Sequence, residues 1–245
     1  MTFFYHFGKY LLMLKGLVKR PEKYSIYWRE IMVQMVSIGI GSVAIVAIVS
    51  IFLGAVTTVQ TAYQFTSPLL SKSIIGTIIT NSTILELAPT VTCLILAGKI
   101  GSNIASELGT MRISEQVDAL EIMGVNSSAY LILPKIIACT VIIPLLIFIS
   151  GFLCIYSGLL VGELTGVVSK QDFMNGSIEF FIPFTVFFAF VKTVTFGFII
   201  SSVSSYYGYY TEGGALEVGK SSTKAVVVCS VAILFADYVL ALIML

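Results

Sequence analysis

Charge is scarce in this sequence. Only 11% of its 245 residues are Asp, Glu, Lys or Arg, against roughly 25% in an ordinary soluble domain. The hydrophobic share is 57% and the mean hydropathy +0.99. A water-soluble domain with so little polar material has nothing to cover its apolar surface with. A single histidine, His6, and dispersed carboxylates supply neither a metal cluster nor a nucleophile–base set, which excludes a membrane-embedded enzyme. Cys93, Cys139, Cys154 and Cys229 all lie in apolar runs without metal-ligand spacing and read as small buried hydrophobes. The net charge of +1 gives no field that would attract nucleic acid. No secretory signal is expected at the N-terminus, where Lys9, Lys15, Lys19 and Arg20 interrupt the apolar residues. There is no internal repeat, and no polar stretch is long enough for a soluble domain.

What the sequence has is long apolar runs. A spanning helix needs about 20 mostly apolar residues, and five stretches qualify: about 32–57, 74–98, 135–163, 180–205 and 225–245. The expected fold is therefore all-α, an integral membrane helical bundle. Residues 1–30 form an interfacial amphipathic segment and residues 31–245 a transmembrane domain. Within the first segment Phe7, Leu11, Leu14 and Val18 share one helical face, opposite Lys9, Gly16 and Arg20, the pattern of a helix lying in the membrane surface. Basic residues distribute unevenly between the two sides, eleven against two, with Lys72 and Lys170 the minority. By the positive-inside rule the N-terminus is cytoplasmic and the C-terminus lies outside. Gly39, Gly41 and Gly54 on the first span would let helix backbones approach closely, within the chain or in a dimer.

Two features carry functional information. Glu86 and Lys192 each sit alone near the middle of an apolar span, where a charge costs about 2.5–3.5 kcal/mol. Such residues pair with each other or line a wet cavity, and Lys192 would be open to a phosphate with Glu86 orienting it. Asp237, eight residues from the end, reads as an interfacial or helix-packing residue. The second feature is the long connection from about 99 to 135. There Ile113, Val117 and Leu120 recur at helical spacing and Glu115, Asp118 and Glu121 make an acidic side. An anionic leaflet would repel that side, so the helix suits a protein partner. One motif is a decoy. Residues 214–221 satisfy G-x-x-x-x-G-K-[ST], but a phosphate-binding loop must join a strand to a helix in an α/β domain. The chain is thus non-catalytic, and any ATP hydrolysis belongs to another subunit. No cofactor is expected.

The run AGKIGSNIASELGTMRISEQVDALEIMGV resembles the signature of the MlaE-type permeases. These are membrane subunits of the ABC transporters that work with MCE proteins in lipid traffic across the Gram-negative envelope. The family's ELGP element is approximated by Glu86-Leu87-Ala88-Pro89, with Ala88 where glycine is usual and Leu85 where some relatives carry arginine. Its intramembrane lysine is matched by Lys192 in FVKTVTFG, and GKSSTKAVV…FADYVL echoes its C-terminal pattern. The resemblance implies a permease subunit moving phospholipids between inner and outer membranes to maintain outer-membrane lipid asymmetry. It implies four partners: a second copy of the chain, a cytoplasmic ABC ATPase, a periplasmic MCE-domain protein and the phospholipid. It places the chain in the bacterial inner membrane. Glu86, Lys192 and Gln60 would contact the lipid. Glu107, Gly109, Thr110, Met111, Arg112, Glu115, Gln116, Asp118 and Leu120 would couple to the ATPase. The alternative is an ion-coupled secondary transporter or channel, against which the absence of a repeat counts.

Overall fold

In lipid every backbone N–H and C=O must find a partner within the chain, and a helix supplies one locally. The computed structural model describes residues 2–17, 24–65, 71–179 and 181–244, and among these the secondary structure is helical throughout, without a strand. Eight helices follow in order: α1 (Thr2–Leu17), α2 (Tyr24–Gln64), α3 (Ser73–Ile113), α4 (Gln116–Ile122), α5 (Ser127–Leu164), α6 (Lys170–Glu179), α7 (Pro183–Tyr209) and α8 (Ala215–Met244). Five of them, α2, α3, α5, α7 and α8, are long and apolar enough to cross a membrane. The chain is a multi-pass membrane protein. Helices α1 and α4 cap one end of the bundle and α6 caps the other. Val18, Lys19, Arg20 and Lys23, which entered the sequence reading of the first segment, lie outside the described residues.

The helices run further than the apolar stretches that announced them. The second span continues past Gly98 to Ile113, and the third begins at Ser127 rather than Lys135. Hydropathy marks the part of a helix that needs lipid, whereas its end is set by caps and turns. Here Asn126 caps α5, its side chain accepting from the Ala129 N–H at 3.3 Å. Between α3 and α4, Glu115 adopts a left-handed φ of 61° that stops the first helix and starts the next. Pro183 opens α7 at a position whose N–H would be unpaired anyway. The α6 helix went unforeseen because its residues are mostly polar.

Small residues set the packing of α2 on α5. Ser50, Gly54 and Thr58 on one helix meet Ser150, Cys154 and Gly158 on the other, each at a spacing of four. Gly54 lies so close to the Cys154 carbonyl that a side chain there would collide, and a Cβ at Gly158 would come within 2.6 Å of the Thr58 hydroxyl. The Ser50 hydroxyl donates to Ser150 at 2.7 Å, and Thr92 of α3 lies 2.8 Å from the same oxygen. Small residues that let backbones approach, joined by interhelical hydroxyls, are how helices associate where the hydrophobic effect is absent. Gly54 therefore serves packing within the chain. Gly39 faces Ile142 of α5 at van der Waals distance, and only Gly41 of the three has open space before it.

All four cysteines are buried and free, in keeping with their reading as small hydrophobes. Cys93, Cys139 and Cys229 join Leu96, Ile143, Phe196 and Ile200 in the main core. A smaller cluster of Ile75, Ile79, Leu159, Val168 and Phe173 holds α6 against α3. The P-loop-like residues occupy the first turns of α8, with Lys220 paired to Glu217 at 2.6 Å, and no strand precedes them.

Candidate functional site: a buried lysine between two carboxylates

Three spans converge on Lys192. It lies on α7 with its side chain 0% exposed. Its ammonium donates to the Glu86 carboxylate of α3 at 2.9 Å, to the Leu85 carbonyl at 2.9 Å, and pairs with the Asp237 carboxylate of α8. Thr90 lies beneath, its hydroxyl 2.9 Å from Glu86 Oε2 and 3.2 Å from Asp237 Oδ2. The ring of Phe188 sits 5.1 Å from the ammonium. Burial of a lone ammonium is prohibitive, so its three N–H groups each need an acceptor. They have three.

Local sequence explains the third acceptor. In an α-helix the N–H of residue 89 would bond the carbonyl of residue 85, but residue 89 is proline and has no N–H to give. Residues Thr83–Val91 widen into a π-helical stretch, a distortion that recurs at functional sites. The carbonyl of Leu85 turns to Lys192. Pro89 and Thr193 also wall an apolar cavity of about 180 Å³ between α3, α5 and α7, floored by Pro144, Phe148, Gly151 and Phe190. The site thus pairs a charged face on α3, α7 and α8 with an apolar cavity on the opposite side of α3.

Two expectations change here. Asp237 is neither interfacial nor a mere packing residue. It is an ion-pair partner of Lys192, hidden from sequence because its place near the end of α8 disguises its depth. Lys192 does not stand open to a phosphate, since all three of its donors are engaged; the half-exposed member is Glu86, at 50%. Gln60 is exposed on α2, and no hydrogen bond or ion pair joins it to the cluster among the described residues.

The coupling residues predicted from sequence separate into two groups. Several are tied into the bundle. Glu107 pairs with the buried Lys135 of α5 at 2.6 Å, and Lys135 also donates to Gln34 of α2 at 3.2 Å. Gly109 abuts Val218 and Thr211, where a Cβ would crowd Val218 at 3.1 Å. Met111 packs against the main core. Thr110 bonds back to the Ser106 carbonyl at 2.8 Å within its own helix. Arg112 pairs with Asp118 at 2.7 Å, bridging α3 and α4 across the break, and both side chains stay partly exposed. Glu121 accepts from Ser127 at 2.8 Å and from Tyr209 of α7 at 3.1 Å. Val117 is fully buried beneath α4 and Leu120 is partly so. The open surface includes Glu115, Gln116 and two residues the sequence reading passed over, Ile122 at 88% and Met123 at 68% exposure. Their spacing after Val117 and Leu120 placed them off the apolar face, and apolar residues off that face are the signal for a docking tip.

At the same end, α1 packs its Met13 and Leu17 against the bundle and leaves Phe7 and Leu11 exposed, as an in-plane helix does. His6 has a partner in the bundle: its Nδ1 lies 2.8 Å from the Tyr206 hydroxyl. Tyr10 donates to Ser202 at 2.9 Å, and burial pushes its phenol above the ordinary value, so it stays neutral.

Comparison with known proteins gives this arrangement its context. The profile of the permease MlaE family matches residues 31–243. A probable ABC transporter permease protein of Rickettsia bellii is 35% identical over 233 residues, covering 95% of this chain and 90% of the relative. Another, from Synechocystis, is 34% identical and covers 96% and 86%. The chloroplastic protein TRIGALACTOSYLDIACYLGLYCEROL 1 of Arabidopsis thaliana is 35% identical, covering 91% of this chain and 64% of that protein. With a family match across seven-eighths of its length and relatives aligned nearly end to end, the chain belongs to the MlaE permease family, as a membrane-spanning subunit of an ABC transporter.

Proposed function

We propose that this permease moves phospholipids between the inner and outer membranes of a bacterial envelope and so maintains the lipid asymmetry of the outer membrane. The observation that carries the reading is the Lys192–Glu86–Asp237 cluster. Ionisable groups at mid-span are expensive and mark substrate pathways, and here they lie back to back with an apolar cavity, as an amphipathic cargo requires. The name of the Arabidopsis relative contains a diacylglycerol lipid, which supports the lipid class. Glu86, half exposed, is the first contact for a headgroup. Gln60, exposed on α2, extends the polar path from a second copy of the chain. Exposed apolar residues on α8, among them Val231, Phe235 and Tyr238, supply the surface for that copy.

The remaining partners follow from the two ends. A cytoplasmic ATPase docks on Glu115, Gln116, Ile122 and Met123, and an MCE-domain protein stands over the α6 end. The chain lies in the inner membrane with its N-terminus cytoplasmic and its C-terminus periplasmic, the arrangement that the eleven-to-two basic asymmetry favours.

Lipid transfer by the reconstituted complex, scored beside thermal stability of the same preparation, tests the site. Because Asp237 shares Lys192, removing only Lys192 and Glu86 would strand a carboxylate. The informative variant is Lys192→Met/Glu86→Gln/Asp237→Asn. It should stay folded and lose transfer at least tenfold. A stable, fully active triple variant would remove the cluster from the transport path.

A further inference from the structure

A second cavity lies outside the mid-membrane site, at the end of the bundle that α1 caps. It has a volume of about 590 Å³ and is enclosed by α1, the end of α7 and the first turns of α8. That volume falls in the range of small-molecule sites. Three ammoniums face it: Lys9 from α1, and Lys220 and Lys224 from α8. Lys220 is matched by Glu217 at 2.6 Å. Lys9 and Lys224 make no ion pair among the described residues; Lys9 rests 4.0 Å from the centre of the Tyr210 ring and Lys224 5.6 Å from that of Tyr207. A ring face holds an ammonium in place without neutralising it. The only other carboxylate in the wall is Glu212, which is exposed, and His6 adds an imidazole held by Tyr206. The cavity is thus a preformed pair of unneutralised cations in an aromatic frame.

Its surroundings decide the source of the anion. On the outer side of α1, Phe4, Phe7 and Leu11 are exposed, at 80%, 52% and 48%. These residues belong in acyl chains, which puts Lys9, on the inner side of the same helix, at headgroup level. Basic pockets between membrane helices at that level recognise anionic headgroups. We propose that the cavity between α1 and the adjoining ends of α7 and α8 binds the phosphate-bearing headgroup of an anionic phospholipid from the leaflet at that end, with Lys9 and Lys224 as its cationic clamp. The site is distinct from the Lys192 cluster and stands whether or not that cluster carries cargo.

Native mass spectrometry of the full chain in detergent, titrated with phosphatidylglycerol and in parallel with phosphatidylcholine, tests it. Wild type should prefer phosphatidylglycerol. Replacing either lysine by glutamine should weaken that lipid about fivefold, and Lys9→Gln/Lys224→Gln more than tenfold, with phosphatidylcholine unchanged. Lys9→Arg/Lys224→Arg, which keeps both charges and reports on folding, should bind as wild type does. Lys170→Gln, which removes a lysine at the opposite, α6 end, should leave the preference intact. Equal binding of the two lipids by wild type, or undiminished phosphatidylglycerol binding by the double glutamine variant, would overturn the proposal. So would a loss of preference in Lys170→Gln, which would make the effect one of net charge rather than of this cavity. Displacement of the lipid by inorganic phosphate at millimolar concentration would assign the cavity to a free anion instead.

Discussion

Two lysines are buried among the described residues, and they are held differently. Lys192 is at mid-span, surrounded by carboxylates from two other helices, a carbonyl released by a proline, and no solvent. Lys135 is near the α4 end, 3% exposed, with one carboxylate and one amide as partners; its carboxylate, Glu107, is 42% exposed. Glu107, at the end of the bundle, can turn to water when its partner is lost, whereas Asp237, only 16% exposed, cannot, and it would be left facing Glu86. One ionic group is therefore a tie between helices and the other a balance of charges that holds only as a set.

That contrast can be broken at both ends. Lys192→Met leaves Glu86 and Asp237 facing each other with nothing between. The stability lost should be about 3–5 kcal/mol, the usual penalty for an orphaned buried charge, and the triple variant that neutralises all three positions should recover most of it. Denaturant titration in micelles measures both, and equal instability of the single and triple variants would show that the charges were never in balance. Lys135→Met should cost less, about 1–3 kcal/mol, because Glu107 can turn to water. A loss as large as that of Lys192→Met would mean Glu107 is desolvated in the assembled protein. Gly176→Ala sharpens the comparison from a region without ions. Its Cβ would collide with the Ser73 carbonyl, and overpacking of that kind costs about 1–3 kcal/mol, confined to the docking of α6 on α3. Hydrogen exchange should speed up in α6 and the start of α3 while the rest of the bundle is unmoved. Smallest in stability is Ile122→Asp, within about 0.5 kcal/mol because the site is open. Its effect should fall on co-purification of the ATPase, and normal yield would remove the α4 tip from the docking surface.

The same two lysines show how far the sequence could be read. Lys192 was conspicuous because nothing else charged shares its span, and Glu86 was found the same way. Lys135 sat at the margin of an apolar run, where it counted only toward orientation. Spacing along one helix says which residues share a face; it does not say which face meets which helix. That is why the pairing of Glu107 with Lys135 and the reach of Asp237 to Lys192 needed the assembled bundle. The five spans were legible because lipid imposes a length on each. Helix α6, set by contacts of Gly76 and Gly176 with facing backbones, left no hydropathy signal. Ile122 and Met123 were passed over for a related reason: apolar residues were credited to the core, and these two point away from it.

The bond from Tyr209 to Glu121 has a mechanical consequence. Tyr209 is the last residue of α7, and Lys192 lies 17 residues back along the same unbroken helix, about 25 Å at 1.5 Å per residue. Glu121 belongs to α4, so that helix and the rod that carries the buried ammonium are clamped together, with Ser127 of α5 as the fulcrum. If the ATPase docks on α4 as proposed, a stroke delivered there would reach mid-membrane as rigid-body displacement of α7. Lys192 would then be drawn along its axis away from Glu86 on α3 and Asp237 on α8, and the lock on the charged cluster would open by traction.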